Sequence, residues 1–260
     1  GVGVNLNVDN PSVHKDLTRF YVRRGLFEFN PHRHEWGPKT LLGRTMTEEG
    51  LHEVEAALDI LTSHPATARF VSRKLATFWL SDVPPQSLID RMAVTWKATD
   101  GRIASVLETL FTSAEFMNAP PSKFKDPMRY VLSSVRLAYD SKVVPNVGPV
   151  LDWINRLGEP LYGRQTPDGY PLVASAWDSS GQMNTRFEIA KTIGSDSAGL
   201  FKTDGQPMSV EAAFPQLASA LYFQAIQSTL SPATLTALEQ ANSPQEWNTF
   251  LLAAPESMRR

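Results

Sequence analysis

A chain of 260 residues that is 42% hydrophobic and 20% charged has the composition of a folded globular protein, which excludes wholesale disorder. Its formal net charge of -2 gives no electrostatic reason to expect nucleic acid or an anionic membrane as a partner. The absence of cysteine excludes disulfides, thiolate nucleophiles and cysteine-ligated metal. No apolar run reaches the roughly 18 residues that a membrane span needs.

The first part of the chain is predicted to contain one small β-hairpin. Residues 1–25 are interpreted as an N-terminal extension, and they contain no basic region followed by an apolar core, so we expect no signal peptide. Leu26 to Asn30 alternates apolar and polar residues as a half-buried strand does. Pro31 to Gly37 supplies turn residues, and Lys39 to Leu42 is expected to return as the second strand.

The remainder is predicted to be helical, which gives a mainly α fold: an irregular multi-helix domain over residues 26–260. The first predicted helix, over about 47–62, is expected to bury one apolar face. The third predicted helix, over about 87–99, is expected to bury another. The residues of these two faces are Leu51, Val54, Leu58 and Leu61, and then Leu88, Met92 and Trp96. Ser231-Pro232 and Ser243-Pro244-Gln245-Glu246 are typical helix starts, the second with the pattern of a capping box.

Polar chemistry is concentrated between residues 27 and 43. His34, Glu35 and Lys39 have the side-chain types of an acid/base group, because histidine titrates near neutrality and an adjacent carboxylate or ammonium tunes it. The alternative is that Glu35 and Lys39 form an exposed ion pair over a tight turn, which adds little stability. The acid/base group is our leading hypothesis for an active site.

A metal site is the second hypothesis for the same segment. His32 and His34 are two residues apart, so an extended backbone would project both side chains from one face, as in a His-x-His metal pair. Pro31 and Gly37 are expected to bend the segment. We therefore favour a structural role, with an imidazole bonding a nearby carbonyl, over metal binding, and the sequence indicates no particular cofactor.

Two further groups are candidates for ligand binding. Arg69 and Arg73 lie four residues apart on one helical face, a spacing that suits an anion but is also typical of a solvated face or an ion pair between domains. Trp177, Asn184 and Arg186 follow the loop from Glu159 to Ala174, which is rich in glycine and proline. Aromatic residues there form either a ligand platform or anchors for a long loop, and we favour anchors.

Several stretches, in this order, resemble a large bacterial family called domain of unknown function 1800. The first is Phe27 to Gly43, and the second is His64-Pro65-Ala66-Thr67-Ala68-Arg69-Phe70. The others are Leu110 to Phe116, Leu157-Gly158-Glu159-Pro160-Leu161-Tyr162, Asp168-Gly169-Tyr170-Pro171 with Trp177, and Pro255 to Arg260. The resemblance covers most of the chain from about residue 26 onward.

The resemblance implies a helical protein that corresponds to the C-terminal half of a longer, commonly exported architecture. It also implies a periplasmic or extracellular location and a partner, since such proteins are often encoded beside a phosphatase-like protein. Glu35 stands where the family usually has aspartate, and Asp168 and Tyr170 replace its usual lysine and tryptophan. A role for a carboxylate at position 35 is compatible with glutamate. A role that needs lysine at position 168 is not compatible with aspartate.

Two functions are therefore expected from the sequence. One is an enzyme, a hydrolase or transferase that acts on an extracytoplasmic polymer through the turn containing His34, Glu35 and Lys39. The other is a non-catalytic binding or assembly protein that works with the phosphatase-like partner. If His34, Glu35, Arg69 and Trp177 line one cleft, the enzyme is favoured, and scattered buried anchors would favour the binding protein.

Overall fold

The fold is mainly α-helical with small antiparallel strands near the N-terminus, which confirms the predicted class. A computed structural model describes residues 2–4, 15–140, 142–195, 197–202 and 214–260. The helices are α1 His52–Ser63, α2 Pro65–Trp79, α3 Gln86–Ala98, α4 Ile103–Phe111, α5 Ala114–Met117, α6 Pro127–Tyr139, α7 Gly148–Arg156, α8 Ser180–Gly194, α9 Pro232–Glu239 and α10 Pro244–Ala253. No helix in these ranges is long and apolar enough to cross a membrane.

The predicted strands are present, but they pair with other partners. The strands are β1 Val2–Val4, β2 Val22–Arg24, β3 Phe27–Phe29, β4 Lys39–Leu41 and β5 Arg44–Met46. β3 lies between β1 and β2 in an antiparallel sheet, whereas β4 pairs with β5. Leu42 and Gly43 have positive φ angles of 50° and 78°, the backbone of a two-residue hairpin turn, so β4 pairs with the strand that follows it at once.

The chain divides into two compact units. The first consists of Gly1–Leu75 and Pro85–Ser113, and the second of Ala76–Pro84 and Ala114–Arg260. Within the first unit, α3 buries Leu88, Met92 and Trp96 as predicted, and the Trp96 indole donates a hydrogen bond of 3.1 Å to the Thr62 carbonyl.

Residues 5–14 of the predicted extension lie outside the described residues, whereas β1 and β2 from the same stretch pair with β3.

Helix α1 exposes three of the four residues that the periodicity assigns to the core, and the fourth, Leu51, is half-buried. Val54, Leu58 and Leu61 are 38%, 54% and 42% exposed, whereas Glu53 on another side of the helix is only 7% exposed. The spacing of four and three residues puts the three apolar side chains on one side of α1, here called the α1 apolar face. The prediction for these three residues is wrong, because a carboxylate with polar partners takes the inward position.

The core of the second unit lies among α6, α7, α8 and α10. Its fully buried side chains include Tyr130, Leu157, Ile189, Ile193 and Leu251. The predicted start of α10 is confirmed, since the Ser243 hydroxyl accepts a hydrogen bond from the Glu246 N–H at 3.1 Å. The Glu246 carboxylate accepts in turn from the Asn242 N–H at 2.7 Å, one residue before the position expected in a capping box.

The last residues of the chain pair with the segment that precedes α6. Phe124 and Arg259 form an antiparallel bridge. The Lys125 N–H donates to the Met258 carbonyl at 2.7 Å, and the Arg260 N–H donates to the Lys123 carbonyl at 2.9 Å. This pairing fixes the backbone on which Lys123 and Lys125 lie.

Candidate functional site

The segment between β3 and β4 holds His34 through a short capped turn. The Asn30 side chain accepts a hydrogen bond of 3.0 Å from the His32 N–H and caps a single 3-10 turn, Pro31–Arg33. The imidazole of His34 then lies edge-on to the rings of Phe29 and Trp36, with centroid distances of 5.3 Å and 4.9 Å. Because the turn and the two rings restrict it, this imidazole has a defined direction.

One buried carboxylate, that of Glu53, brings His34 and Lys39 together. The His34 Nε2 atom lies 2.9 Å from Glu53 Oε2, and the Lys39 ammonium lies 2.8 Å from Glu53 Oε1. Glu53 occupies the first turn of α1, where the positive end of the helix dipole favours a negative charge. The site is therefore a three-residue group in which one carboxylate accepts from an imidazole and an ammonium.

A cavity of about 250 Å³ opens beside this group, and both His34 and Glu53 line it. Trp36 and Met46 supply apolar walls, and the carboxylates of Glu48 and Glu49 also line it. An ionised Glu53 carboxylate only accepts hydrogen bonds, so the Nε2 atom of His34 carries the hydrogen. In the neutral ring Nδ1 is then the proton acceptor, which suits a general base.

Glu35 lies in this segment but contributes its backbone rather than its carboxylate. The Lys39 ammonium donates to the Glu35 carbonyl, and the Glu35 side chain is exposed. The carboxylate that meets His34 and Lys39 is that of Glu53, which is 14 residues from Lys39 in sequence. The sequence gives no signal for it, because Glu53 is one of four glutamates between residues 48 and 55.

His32 and His34, the two histidines considered as metal ligands, lie in different environments. His32 is exposed, whereas the His34 side chain is only 11% exposed and its Nε2 atom is engaged by Glu53. Within the described ranges, no group of three or more histidine, aspartate or glutamate side chains is arranged to hold a metal ion.

Arg69 and Arg73 are engaged by α3. The Arg69 guanidinium lies 3.3 Å from the Asp90 carboxylate, and Arg73 donates a hydrogen bond of 2.6 Å to the Gln86 side chain. Gln86 donates in turn to Asp90 at 3.2 Å. Arg69, Arg73 and Gln86 are exposed and the Asp90 side chain is 49% exposed, so this network between α2 and α3 adds little stability.

Trp177 is buried at the end of the loop rich in glycine and proline. It is 5% exposed, and its indole N–H donates a hydrogen bond of 3.0 Å to the Pro171 carbonyl. The Tyr170 hydroxyl closes the same loop by donating to the Pro160 carbonyl at 2.7 Å. The two side chains therefore tie the loop to itself.

Asn184 and Arg186 lie on different sides of α8. Asn184 is exposed, whereas Arg186 is fully buried with its Cζ atom 4.6 Å from the ring centroids of both Phe124 and Tyr130. Its Nη2 atom donates to the Lys125 carbonyl at 2.8 Å. Burial lowers the pKa of Arg186 to about 10, so the guanidinium stays charged at neutral pH.

A partly buried ion pair between Lys123 and Asp82, which the sequence did not suggest, holds the segment that precedes Trp177. Asp82 accepts from the Lys123 ammonium and, at 2.7 Å, from the Ala174 N–H, while Lys123 also donates to the Leu172 carbonyl at 2.6 Å. Burial raises the pKa of Asp82, but the hydrogen bonds from Ala174 and Lys123 outweigh it and hold that pKa below its usual value.

The low pKa of Asp82 predicts an acid-sensitive contribution to stability. A depressed carboxyl pKa stabilises the fold above the unfolded value near 3.8, and this stabilisation is lost as the pH falls through the lower folded value. Asp82→Asn should therefore cost about 1 kcal/mol at pH 7 and progressively less as the pH falls below 3.8, measured by urea denaturation. Asp152→Asn, in an exposed pair of 3.9 Å, is the control and should change little at either pH. An equal loss for Asp82→Asn at neutral and acid pH would contradict the assignment.

Comparison with known proteins identifies a family of unestablished function. A family model described as "Protein of unknown function (DUF1800)" matches residues 3–259, which extends the resemblance over the first strands as well. No curated protein and no solved structure matches the chain. Since the match covers nearly all of its 260 residues, the chain belongs to this family.

Proposed function

We propose that His34, Glu53 and Lys39 form the acid/base centre of an exported enzyme, a hydrolase or transferase that acts on an extracytoplasmic polymer. Of the four residues expected to line one cleft, only His34 lines this cavity, so the proposal is supported instead by the convergence of an imidazole and an ammonium on one buried carboxylate beside it. Glu53 takes the part that the sequence suggested for Glu35. The exported location rests on the family resemblance.

Each residue has a distinct role in this proposal. Glu53 holds the Nε2–H of His34, which leaves Nδ1 to take a proton from water in a hydrolase or from an acceptor hydroxyl in a transferase. Lys39 balances the charge of Glu53 at 2.8 Å, so the carboxylate stays an acceptor. Because Glu48 and Glu49 also line the cavity, a neutral or cationic stretch of polymer suits it better than an anionic one.

A ligand-stabilisation screen tests the proposal. Melting temperatures of the wild type and of His34→Ala are compared in the presence of neutral, cationic amino-sugar and anionic oligosaccharides, with metal content measured in both proteins. We expect a neutral or cationic oligosaccharide to raise the melting temperature of the wild type, and the rise to vanish in His34→Ala.

The matched control for this screen is His52→Ala. His52 lies at the start of α1 with a side chain that is 80% exposed, and it does not line the cavity. Its variant should keep the full response to the oligosaccharide. The proposal is wrong if His34→Ala keeps both the rise in melting temperature and the metal content of the wild type. It is also wrong if none of the three oligosaccharide classes raises the melting temperature of the wild type.

The α1 apolar face favours a second candidate, a non-catalytic binding or assembly protein that works with a phosphatase-like partner. Its three side chains, Val54, Leu58 and Leu61, are between 38% and 54% exposed and lie together on one side of α1, so they offer a continuous apolar surface to a partner. Co-purification of the two proteins tests this function. Leu58→Asp should abolish co-purification, while His34→Ala and the exposed control Asp59→Ala should leave it unchanged. Co-purification that survives Leu58→Asp, or that never occurs, would rule this candidate out.

A further inference from the structure

A second polar cavity, in the other compact unit, is lined by a lysine, Lys125. The cavity measures about 180 Å³, and its polar lining consists of Lys125, Ser133, Ser134, Thr229, Glu256 and Ser257. It shares no residue with the cavity beside His34. The proposed acid/base function therefore leaves it unexplained.

Lys125 is held in place on both sides of its backbone and at its amine. Its N–H donates to the Met258 carbonyl at 2.7 Å, and its own carbonyl accepts from Arg186 at 2.8 Å. The next residue, Asp126, caps α6 by accepting from the Arg129 N–H at 2.8 Å. The amine donates to the Ser257 carbonyl at 2.8 Å, and Ser257 is itself part of the cavity wall. A lysine side chain is rarely so well oriented, since its four-carbon stem is flexible.

The surroundings of this amine disfavour its charged form. Burial, and then the charges of Arg186 and Arg260, lower the pKa of Lys125. Within the described ranges no carboxylate lies within ion-pair distance of the amine. Asp126 pairs with Arg129 instead, and Glu256 accepts from the Ser231 N–H at 2.8 Å and the Thr234 hydroxyl at 2.9 Å. A desolvated lysine beside other cations is a recurrent arrangement for an amine nucleophile.

The geometry points to Lys125 as an amine nucleophile that binds small aldehydes or ketones as an imine in this cavity. The amine nitrogen attacks the carbonyl carbon, the C–O bond of the resulting carbinolamine breaks, and one water leaves as the C=N bond forms. No oxidant or reductant takes part. Glu256 keeps a low pKa because, although burial raises it, the hydrogen bonds from Ser231 and Thr234 lower it further. Its carboxylate therefore stays ionised and bound to Ser231 and Thr234, and it leaves the Lys125 amine without a counter-ion.

Reductive trapping on the intact wild-type chain tests this inference. The protein is treated at pH 7 with a limiting amount of acetaldehyde or glyoxylate and sodium cyanoborohydride, and the modified lysines are quantified by peptide mass spectrometry. We expect Lys125 to be modified several-fold faster than the exposed Lys97 and Lys191. Preferential modification of Lys125 by either carbonyl compound supports the inference, and the ratio of the two rates shows whether the cavity favours a neutral or an anionic one.

Two controls separate this result from ordinary lysine reactivity. The same treatment in about 6 M guanidinium chloride, which unfolds the protein, should remove the preference for Lys125. Lys191→Arg should leave modification of Lys125 unchanged, and Lys125→Arg should abolish the fast phase. If Lys125 in the native wild type reacts no faster than Lys97, the inference is wrong, and this outcome does not depend on whether any variant folds.

Discussion

Replacing Arg186 with alanine is expected to lower the free energy of unfolding of the second unit by about 3–5 kcal/mol. The guanidinium is fully buried between Phe124 and Tyr130, so truncation leaves a cavity and strips both ring faces of their partner. The Lys125 carbonyl would also lose the donor that lies 2.8 Å away. Urea denaturation at pH 7 measures the loss.

Arg186→Met separates the volume of the side chain from its charge. Methionine fills most of the same space but carries neither the charge nor the donor, so we expect a smaller loss of about 1–2 kcal/mol. The buried charge is itself costly, because two of its nitrogen atoms, Nε and Nη1, lack an acceptor within the described part of the chain. An alanine variant within about 0.5 kcal/mol of the wild type would show that Arg186 does not hold this core together.

Gly194→Ala is expected to destabilise the second unit by about 1–3 kcal/mol through overpacking. Gly194 ends α8 where that helix meets α10 most closely. A Cβ atom there would lie 3.1 Å from both Asn248 Cβ and the Thr249 backbone nitrogen, so α10 would have to move. The Asn248 side chain also donates to the Gly194 carbonyl at 3.2 Å, and that bond would be disturbed.

Gly181→Ala on the same helix is the matched control, with the opposite sign. A Cβ atom at Gly181 meets nothing within 4 Å, so alanine should stabilise α8 by about 0.5–1 kcal/mol through its higher helix propensity. Thermal or urea unfolding of the two variants beside the wild type measures both effects. Two changes of the same sign would contradict the proposed close contact between α8 and α10.

The helical fold could be predicted because its signals are local. Ser231 and Ser243 start α9 and α10 through hydrogen bonds to residues three positions later, which the sequence shows directly. The inward positions of α3, Leu88, Met92 and Trp96, follow from their spacing alone. The partner of β4 could not be predicted in the same way, since it depends on positive φ angles at Leu42 and Gly43, and leucine rarely adopts one.

Only part of the candidate site could be predicted from the sequence. His34 and Lys39 stand out because they lie together in a short segment with strands on both sides. Glu53 does not, because its burial depends on two partners from another element and reverses the apolar pattern of α1. Arg186 shows the same limit, since the two rings around it lie 56 or more residues earlier in the chain.

The backbone pairing of residues 258–260 with residues 123–125 has a consequence for synthesis. The Arg260 guanidinium also donates to the Phe78 carbonyl, which lies 182 positions earlier in the chain. At a ribosomal rate of about 5–20 residues per second, Phe78 waits roughly 10 to 40 seconds for this partner. Until then the rings of Phe78 and Trp79 lack the guanidinium that lies 4.9 Å and 6.0 Å from their centroids in the folded chain, and uncovered aromatic rings are surfaces that chaperones bind.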